Sequence, residues 1–357
     1  MSFSTDDQEY MARALQLAAQ GLNTTTPNPR VGCVLARDGV VVGEGWHERA
    51  GEPHAEAHAL RNAGDAARGA TAYVTLEPCA HHGRTPPCAD ALIEAGVARV
   101  VAAMRDPNPL VSGEGLARLE QAGIAVEVGL LESDAEKLNV GFVSRMTRGR
   151  PWVRLKVAAS LDGKTALLNG RSQWITGLEA RRHAHAWRAR SCAIMTGSGT
   201  VLDDDPSLTV REVPCTRQPL RVVVDGRLQT PPNAKILTGD GALIFTAQDG
   251  ALPNAEVVVA SSGAGKVDLV GVVDELGRRG INELMVEGGL RLNGALLRAG
   301  LVDELLIYQA PLIIGDQGRG MFELPEALDL AEARRLEVVE RRVLGPDIFL
   351  RARLARQ

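Results

Sequence analysis

Four residues of this chain have the types and spacing of a metal-assisted hydrolysis. His54 and Glu56 are separated by one alanine, Pro78-Cys79 follows, and Cys88 lies nine positions beyond Cys79. One imidazole and two thiolates are soft ligands for tetrahedral zinc and leave the fourth position open to water. Zinc lowers the pKa of such a water toward ~7. Glu56, two residues from a ligand and not itself one, is placed to shuttle the proton. Cys88 begins a predicted helix, where unpaired N–H groups favour a thiolate. The His-x-Glu and Pro-Cys pattern is that of zinc nucleobase deaminases, whose second cysteine generally follows the first by about three positions. Two plainer readings compete. A structural Cys/His zinc site leaves the adjacent glutamate without a purpose. His54 with His58, spaced as in zincin proteases, lacks a glutamate directly after the first histidine, because Ala55 stands there. His58 is expected to be a packed residue.

Such ligands need regular elements to deliver them. The opening run DDQEYMARALQLAAQGL reads as a helix with Asp6 or Asp7 as cap. Two Val-rich runs around Asp38-Gly39 predict a hairpin. Beyond it, HAEAHALRNAG, PPCADALIEAG, GEGLARLEQAG and ESDAEKLNVGFVSRM read as helices, alternating with the strands ATAYVTLEP, VARVVAAM and IAVEVGL. That alternation implies an α/β sheet covered by helices. The basic, proline-ended TRGRP marks a boundary, giving domains 1–146 and 151–357. A second α/β pattern follows it, with WVRLKVAAS, CAIMTG, LRVVVDG, ALIFTA, EVVVAS, ELMVEGG and DELLIYQAPLII as strands and GLEARRHAHAWRAR as a helix.

Composition narrows the function classes. The 357 residues are 45% hydrophobic with a net charge of −4, so the chain is neither disordered nor broadly attractive to nucleic acid. Aromatics at 3% leave little for base-stacking platforms. No apolar run approaches the ~18 residues of a membrane span. The acidic start has no signal-peptide core, so a cytoplasmic protein is expected. Five cysteines, an odd number, do not read as a disulfide framework. Cys33, Cys192 and Cys215 are expected to be packing thiols, and His183 and His185 surface residues.

The longer motifs carry a resemblance. TTPNPRVGCV (25–34), TLEPCAHHGRTPPC (75–88) and RDPNPLVSGEG (105–115), with LKVAASLDGKTA (155–166), SQWIT (172–176), GTVLDDDPSLTVR (199–211), VEGG (286–289) and LVDELLIYQAPLIIG (301–315), closely resemble the bifunctional riboflavin biosynthesis deaminase–reductases. The long Cys79–Cys88 spacing is a variant of that family. The resemblance implies a cytidine-deaminase-like three-layer domain followed by a dihydrofolate-reductase-like domain. It implies zinc on His54, Cys79 and Cys88, Glu56 as proton donor, and a phosphorylated diaminopyrimidine as substrate, contacted by Asn28 and by Arg84 in the His82-Gly83-Arg84 segment. The deaminated product would then be reduced with NADPH, its ribosyl chain becoming ribityl.

A dinucleotide site is hard to read from the residues alone. No G-x-G-x-x-G follows the first strand of the second half, and Gly288-Gly289 at a helix start is weak evidence for phosphate binding. By resemblance, Ala158, Trp174, Thr200, Asp204 and the stretch Gly289, Leu290, Arg291, Leu292, Asn293, Gly294 and Ala295 line the NADPH site. Ser172, Arg188, Leu208, Arg211 and Glu287 hold the substrate, and Lys156 polarises the ribose oxygen or imine. Arg188 and Arg211 have the planar fork that suits a sugar phosphate. Gly226 stands where relatives often carry a serine that contacts the cofactor. The family also suggests a homodimer or tetramer built through the second domain, for which DELLIYQAPLII offers an apolar segment. Two other classes remain to be weighed: an RNA- or nucleoside-directed zinc deaminase with an accessory domain, which predicts a basic, aromatic surface, and a non-catalytic zinc-stabilised ligand-binding protein.

Overall fold

In the computed structural model of the chain, residues 3–80, 87–109, 111–263, 265–326 and 328–355 are described, and the chain parts into two units between Gly149 and Arg150. The first unit opens with α1 (Thr5–Gln20). Its N-cap is Ser4, not an aspartate: the Asp7 N–H donates to the Ser4 hydroxyl at 3.1 Å, and the Ser4 N–H donates to the Asp7 carboxylate at 2.9 Å. This is a reciprocal capping box, in which the acidic residue is the partner of the cap. Strands β1 (Gly32–Arg37) and β2 (Val40–Trp46) form the expected hairpin. It turns through Asp38 and Gly39, both at positive φ, as a two-residue turn of this hand needs. Then come α2 (Ala55–Ala63), β3 (Thr71–Val74), α3 (Cys88–Ala95), β4 (Arg99–Ala102), α4 (Glu114–Gln121), β5 (Ala125–Val128), α5 (Glu132–Leu138) and α6 (Val140–Arg148).

The strands of this unit lie in the order β2-β1-β3-β4-β5, with β3, β4 and β5 parallel. Side chains alternate between the two faces of the sheet. Cys33, Leu35, Ala72, Val74 and Val100 pack with Ala59 of α2, Leu92 of α3 and Leu119 of α4. Val34, Ala36, Tyr73 and Val101 pack with Met11 of α1, Ala135 of α5 and Phe142 of α6. The unit is thus a three-layer helix–sheet–helix sandwich. ESDAEKLNVGFVSRM forms two helices where its pattern suggests one. At the break the Asn139 carboxamide accepts from the Arg30 N–H and donates to the Arg30 carbonyl, both at 2.8 Å, so its side chain imitates a neighbouring strand.

The second unit contains β6 (Trp152–Ser160), β7 (Lys164–Ala166), α7 (Leu178–Arg190), β8 (Ala193–Gly197), α8 (Ser198–Asp204), β9 (Leu220–Val224), β10 (Ala242–Thr246), β11 (Ala255–Val259), β12 (Ser261–Gly263), β13 (Lys266–Val267), α9 (Leu269–Arg278), β14 (Glu283–Val286), α10 (Leu290–Arg298), β15 (Glu304–Ala310), β16 (Arg319–Gly320), β17 (Leu336–Leu344) and β18 (Asp347–Leu354). One sheet runs β11-β10-β9-β8-β14-β6-β15-β18-β17, parallel from β11 to β15 and antiparallel thereafter. Val153, Leu155 and Val157 pack under α9 and α10, while Leu306 and Tyr308 meet α7 at Ala180 and Ala184. At the centre, the buried Arg154 of β6 is paired with Glu283 of β14 and with Glu304 of β15, the latter at 2.7 Å. Loss of either carboxylate would leave a buried charge short of its partner.

Most of DELLIYQAPLII is an interior strand, and within it only the end beyond β15 is well exposed, with Ile313 at 76%. Strand β15 lies between β6 and β18, and Leu305, Leu306 and Tyr308 are buried. The exposed apolar row lies instead on the edge strand β17, where Val338 and Val339 are each 40% exposed and Val343 is 73% exposed. No helix among the described residues is long and apolar enough to cross a membrane.

Close approach of α2 to β2 depends on Gly43 and Gly45. A Cβ on Gly45 would stand 2.4 Å from His58 Cβ and 2.8 Å from the Ala55 carbonyl oxygen. Gly45→Ala is therefore expected to push α2 outward and to cost about 1–3 kcal/mol. Thermal unfolding of the full chain should show a lowered Tm, with a parallel fall in bound zinc by metal analysis.

Candidate functional site

Two helix starts meet at the residues singled out for metal binding. His54 is the extended N-cap residue of α2, and Cys88 is the first residue of α3. His54 Nδ1 lies 3.3 Å from Cys88 Sγ and 3.7 Å from Cys79 Sγ, and the Cys88 N–H faces Cys79 Sγ at 3.3 Å. All three ligand atoms fall within 4.8 Å of one another, a spread compatible with one tetrahedral ion. The Cys79 thiol is pulled well down, chiefly by the Cys88 side chain, and then by His54 and the Cys88 N–H against the opposing effect of burial. Cys88 is pushed far up, first by Cys79 and then by burial. The two sulfurs thus compete for one negative charge, and a divalent cation lets both be thiolates. The donor set fits zinc.

Glu56 stands in the first turn of α2, only 3% exposed, and its Oε2 has no hydrogen-bond partner among the described residues. Burial raises its pKa, and His54 pulls it back. A buried carboxylate oxygen left open beside three ligands is suited to a partner that arrives with substrate.

Sequence reading missed two supports. Glu77, immediately before Pro78-Cys79, is buried, and its carboxylate accepts from the N–H groups of Asp106, Gly113 and Gly115, each at 3.0 Å. It ties the ligand loop to the start of α4. Gly115 makes the approach possible, because a Cβ there would lie 1.8 Å from the Pro78 carbonyl oxygen. Buried His47, at the end of β2, faces the Asn28 carboxamide at 3.1 Å and stacks edge-on with His54. Its signal was available, in a histidine closing the strand that leads to the ligand helix. Asn28 is therefore held beside the ligand triad. Arg84, with His82 and Gly83, lies outside the described residues.

In the second unit, a cavity is lined by Lys156, Trp174, Arg188, Arg211 and Tyr308, together with Arg181 and His185. The Arg188 fork donates to both oxygens of Glu287, at 2.5 and 2.9 Å, and its Nη1 donates to the Thr209 carbonyl. Much of its hydrogen-bonding capacity is spent inside the protein. Lys156 Nζ reaches Glu287 at 3.5 Å. Burial alone would raise the Glu287 pKa, but Arg188 and then Lys156 hold it far below the usual range. Leu208 sends its side chain into the core with its backbone at φ +47°, so a substrate contact there falls to its main chain. Trp174 is 69% exposed beneath the Arg181 guanidinium, at 4.4 Å. His183 and His185 are not surface residues: His183 Nδ1 meets the Tyr308 hydroxyl at 2.9 Å, and His185 is 8% exposed.

Thr200 and Gly289, both assigned to the cofactor, meet at the carboxyl ends of neighbouring parallel strands. Thr200 of α8 follows β8, and Gly289 caps α10 after β14. A Cβ on Gly289 would stand 3.8 Å from Thr200 Oγ1. Exposed N–H groups at such helix starts suit a pyrophosphate. Ser172 donates to Asp204 at 3.0 Å, joining a substrate residue to a cofactor residue. Leu290 and Arg291 open α10, Leu292 packs near Gly197, and Ala295 is half-buried. Asn293 and Gly294 turn inward: Asn293 Nδ2 donates to the Met321 carbonyl, and a Cβ on Gly294 would meet the Glu323 carbonyl at 2.0 Å. Ala158 of β6 packs against the Tyr308 cluster. Gly226 has a physical reason, since a Cβ there would stand 2.7 Å from the Gly265 carbonyl oxygen.

Comparison with known proteins covers both units. The cytidine and deoxycytidylate deaminase zinc-binding region matches residues 4–104, and the RibD C-terminal domain matches residues 151–350. The riboflavin biosynthesis protein RibD of Escherichia coli is 52% identical, over 96% of this chain and 98% of that protein. RibD of Haemophilus influenzae is 49% identical, over 98% of each. The structure of Acinetobacter baumannii RibD superposes with a TM-score of 0.93 at 44% identity, covering 98% of this chain and 99% of that one. A Thermotoga maritima structure, described as a diaminohydroxyphosphoribosylaminopyrimidine deaminase/5-amino-6-(5-phosphoribosylamino)uracil reductase, gives 0.89 at 34% identity, with 98% and 99% covered.

The space at Gly226 yields a prediction. Gly226→Ser is expected to displace the β12–β13 ribbon, lower Tm and leave NADPH binding no tighter, because overpacking offsets any new contact. Unchanged melting with tighter NADPH binding in a fluorescence titration would overturn it.

Proposed function

The chain belongs to the RibD family of bifunctional riboflavin biosynthesis enzymes, deaminase and reductase on one polypeptide, and from that membership we propose how its residues divide the work. Zinc serves the first activity and NADPH the second. Residues 1–146 carry the deaminase and 151–357 the reductase, a division supported by where the two family models fall.

In the deaminase, His54, Cys79 and Cys88 hold the metal, which when bound makes a water acidic enough to lose a proton near neutral pH. Glu56 takes that proton. Oxygen adds to the pyrimidine carbon bearing the exocyclic amine, Glu56 returns the proton to the departing nitrogen, and ammonia leaves as the C–N bond breaks. Asn28, steadied by His47, orients the base. Arg84 supplies charge for the ribose phosphate. The substrate is 2,5-diamino-6-ribosylamino-4(3H)-pyrimidinone 5′-phosphate.

In the reductase, Ala158, Trp174, Thr200, Asp204 and residues 289–295 border the nicotinamide dinucleotide, and Ser172, Arg188, Leu208, Arg211 and Glu287 border the substrate. The sugar ring would open by breaking its C1′–O4′ bond, C1′ would take a hydride supplied by NADPH, the released oxygen would take a proton, and the chain would become ribityl. Lys156, beside Glu287 and above the Tyr308 ring, holds the proton for that oxygen. The phosphorylated substrate and the free cysteines fit a reducing cytoplasm. Assembly into a dimer or tetramer through the second unit is supported by the apolar edge of β17; sedimentation of a monomer at micromolar concentration would refute it. An RNA-directed deaminase finds no support in the low aromatic content and net negative charge.

The open Glu56 oxygen beside the ligand triad carries the deaminase reading. Glu56→Gln should cut ammonia release from the diamino substrate by at least about 100-fold. NADPH oxidation with the deaminated substrate should stay unchanged. Retained ammonia release would remove Glu56 from the mechanism.

A further inference from the structure

His185 has no part in the mechanism above, yet its surroundings give it a defined one. It lies on α7 with Arg181 and Arg188, four residues after the first and three before the second, so the three share a helix face. That face lines the cavity of the second unit. His185 Nδ1 accepts the Arg211 backbone N–H at 3.1 Å. In the neutral ring this bond puts the proton on Nε2. Among the described residues the ring's hydrogen bond is the one at Nδ1, and His185 borders the cavity.

The cavity's charge says what that N–H faces. Glu287 takes up the Arg188 fork and approaches Lys156; Arg181, Arg211 and Glu212 also line the cavity with His185, so with two carboxylates against four basic side chains the lining keeps a net positive charge. An anion is the matching occupant, and on this substrate class the anion is the phosphate at the end of the sugar. Burial, then Arg188 and Arg211, hold the imidazole neutral, with its pKa down to about 4. Among so many cations the ring supplies direction in place of further charge. Resting on the reductase reading, we propose that His185 Nε2–H is a fixed donor to a phosphate oxygen of the substrate, a specificity contact for the phosphorylated over the dephosphorylated form.

Two substitutions separate this role from a structural one. His185→Asn keeps an acceptor near the Nδ1 position for the Arg211 N–H and loses the reach of Nε2. His185→Gln restores a donor near the Nε2 position and gives up the acceptor. With the full-length chain, NADPH oxidation is followed with the deaminated phosphorylated substrate and with its dephosphorylated nucleoside. The expected result for His185→Asn is a KM roughly 10-fold higher for the phosphorylated substrate, as for loss of one hydrogen bond to a charged group. Its kcat should stay within about twofold, with no change toward the nucleoside, and His185→Gln should recover most of the KM. Equal losses with both substrates, or an Asn variant that outperforms the Gln variant, would show a purely structural histidine and overturn the proposal. Should the unsubstituted chain fail to oxidise NADPH, the reductase reading falls separately. Calorimetry with ribose 5-phosphate and ribose then decides the contact. Tighter binding of the phosphate that is lost in His185→Asn and regained in His185→Gln supports it, and equal binding by all three chains overturns it.

Discussion

Two sulfurs and one imidazole nitrogen within 4.8 Å, largely shielded from water, form an arrangement that proteins do not hold without compensation. In the first unit most of the local structure can be traced to that demand. His54 and Cys88 stand at the starts of α2 and α3, and the Cys88 N–H faces Cys79 Sγ, which favours negative charge on that thiol. Glycines in β2 let α2 come close enough to deliver His54 and Glu56 together. Glu77 and Gly115 clamp the loop that brings Cys79 to meet them. The metal is the remaining member of the set, and its absence would leave one sulfur protonated against the geometry.

The second unit meets a related problem with protein groups alone. Glu287 stands at the end of a buried parallel strand, where an isolated carboxylate would be neutral. Arg188 and Lys156 keep it ionised, and it in turn fixes both of them against one wall. The same tactic appears deeper in the sheet, where Arg154 sits between Glu283 and Glu304. Charge pairs laid across adjacent strands fix register, because a slip by one residue would separate every partner.

Much of this was readable in the residues. The ligand spacing, the hairpin at Asp38-Gly39 and the alternation of helix and strand follow from local chemistry, and each appears in the structure. What escaped was non-local. Asn139 breaks a helix because it bonds Arg30, more than a hundred residues earlier. The Arg154 pairs join segments that are far apart in the chain. His185 looked like part of a solvated, arginine-rich face, and only the neighbouring Arg211 backbone gives it a buried place. DELLIYQAPLII reads as a sticky surface because composition does not tell an interior strand from an exposed one. Gly226 looked like a lost contact until the ribbon filling its side-chain space was seen.

The position of β6 has a consequence for biosynthesis. Although it is the first strand of its unit to be made, its neighbours in the sheet are β14 and β15, which begin at Glu283 and Glu304. The middle of that sheet therefore cannot close until nearly the whole polypeptide has left the ribosome. Until then β6 presents apolar residues and an unpaired Arg154 to the nascent-chain environment. The strands of the preceding unit form a sheet of their own, and that unit ends at Gly149. It can fold during translation, while in its companion β6 stays without its sheet partners until β14 and β15 have been made.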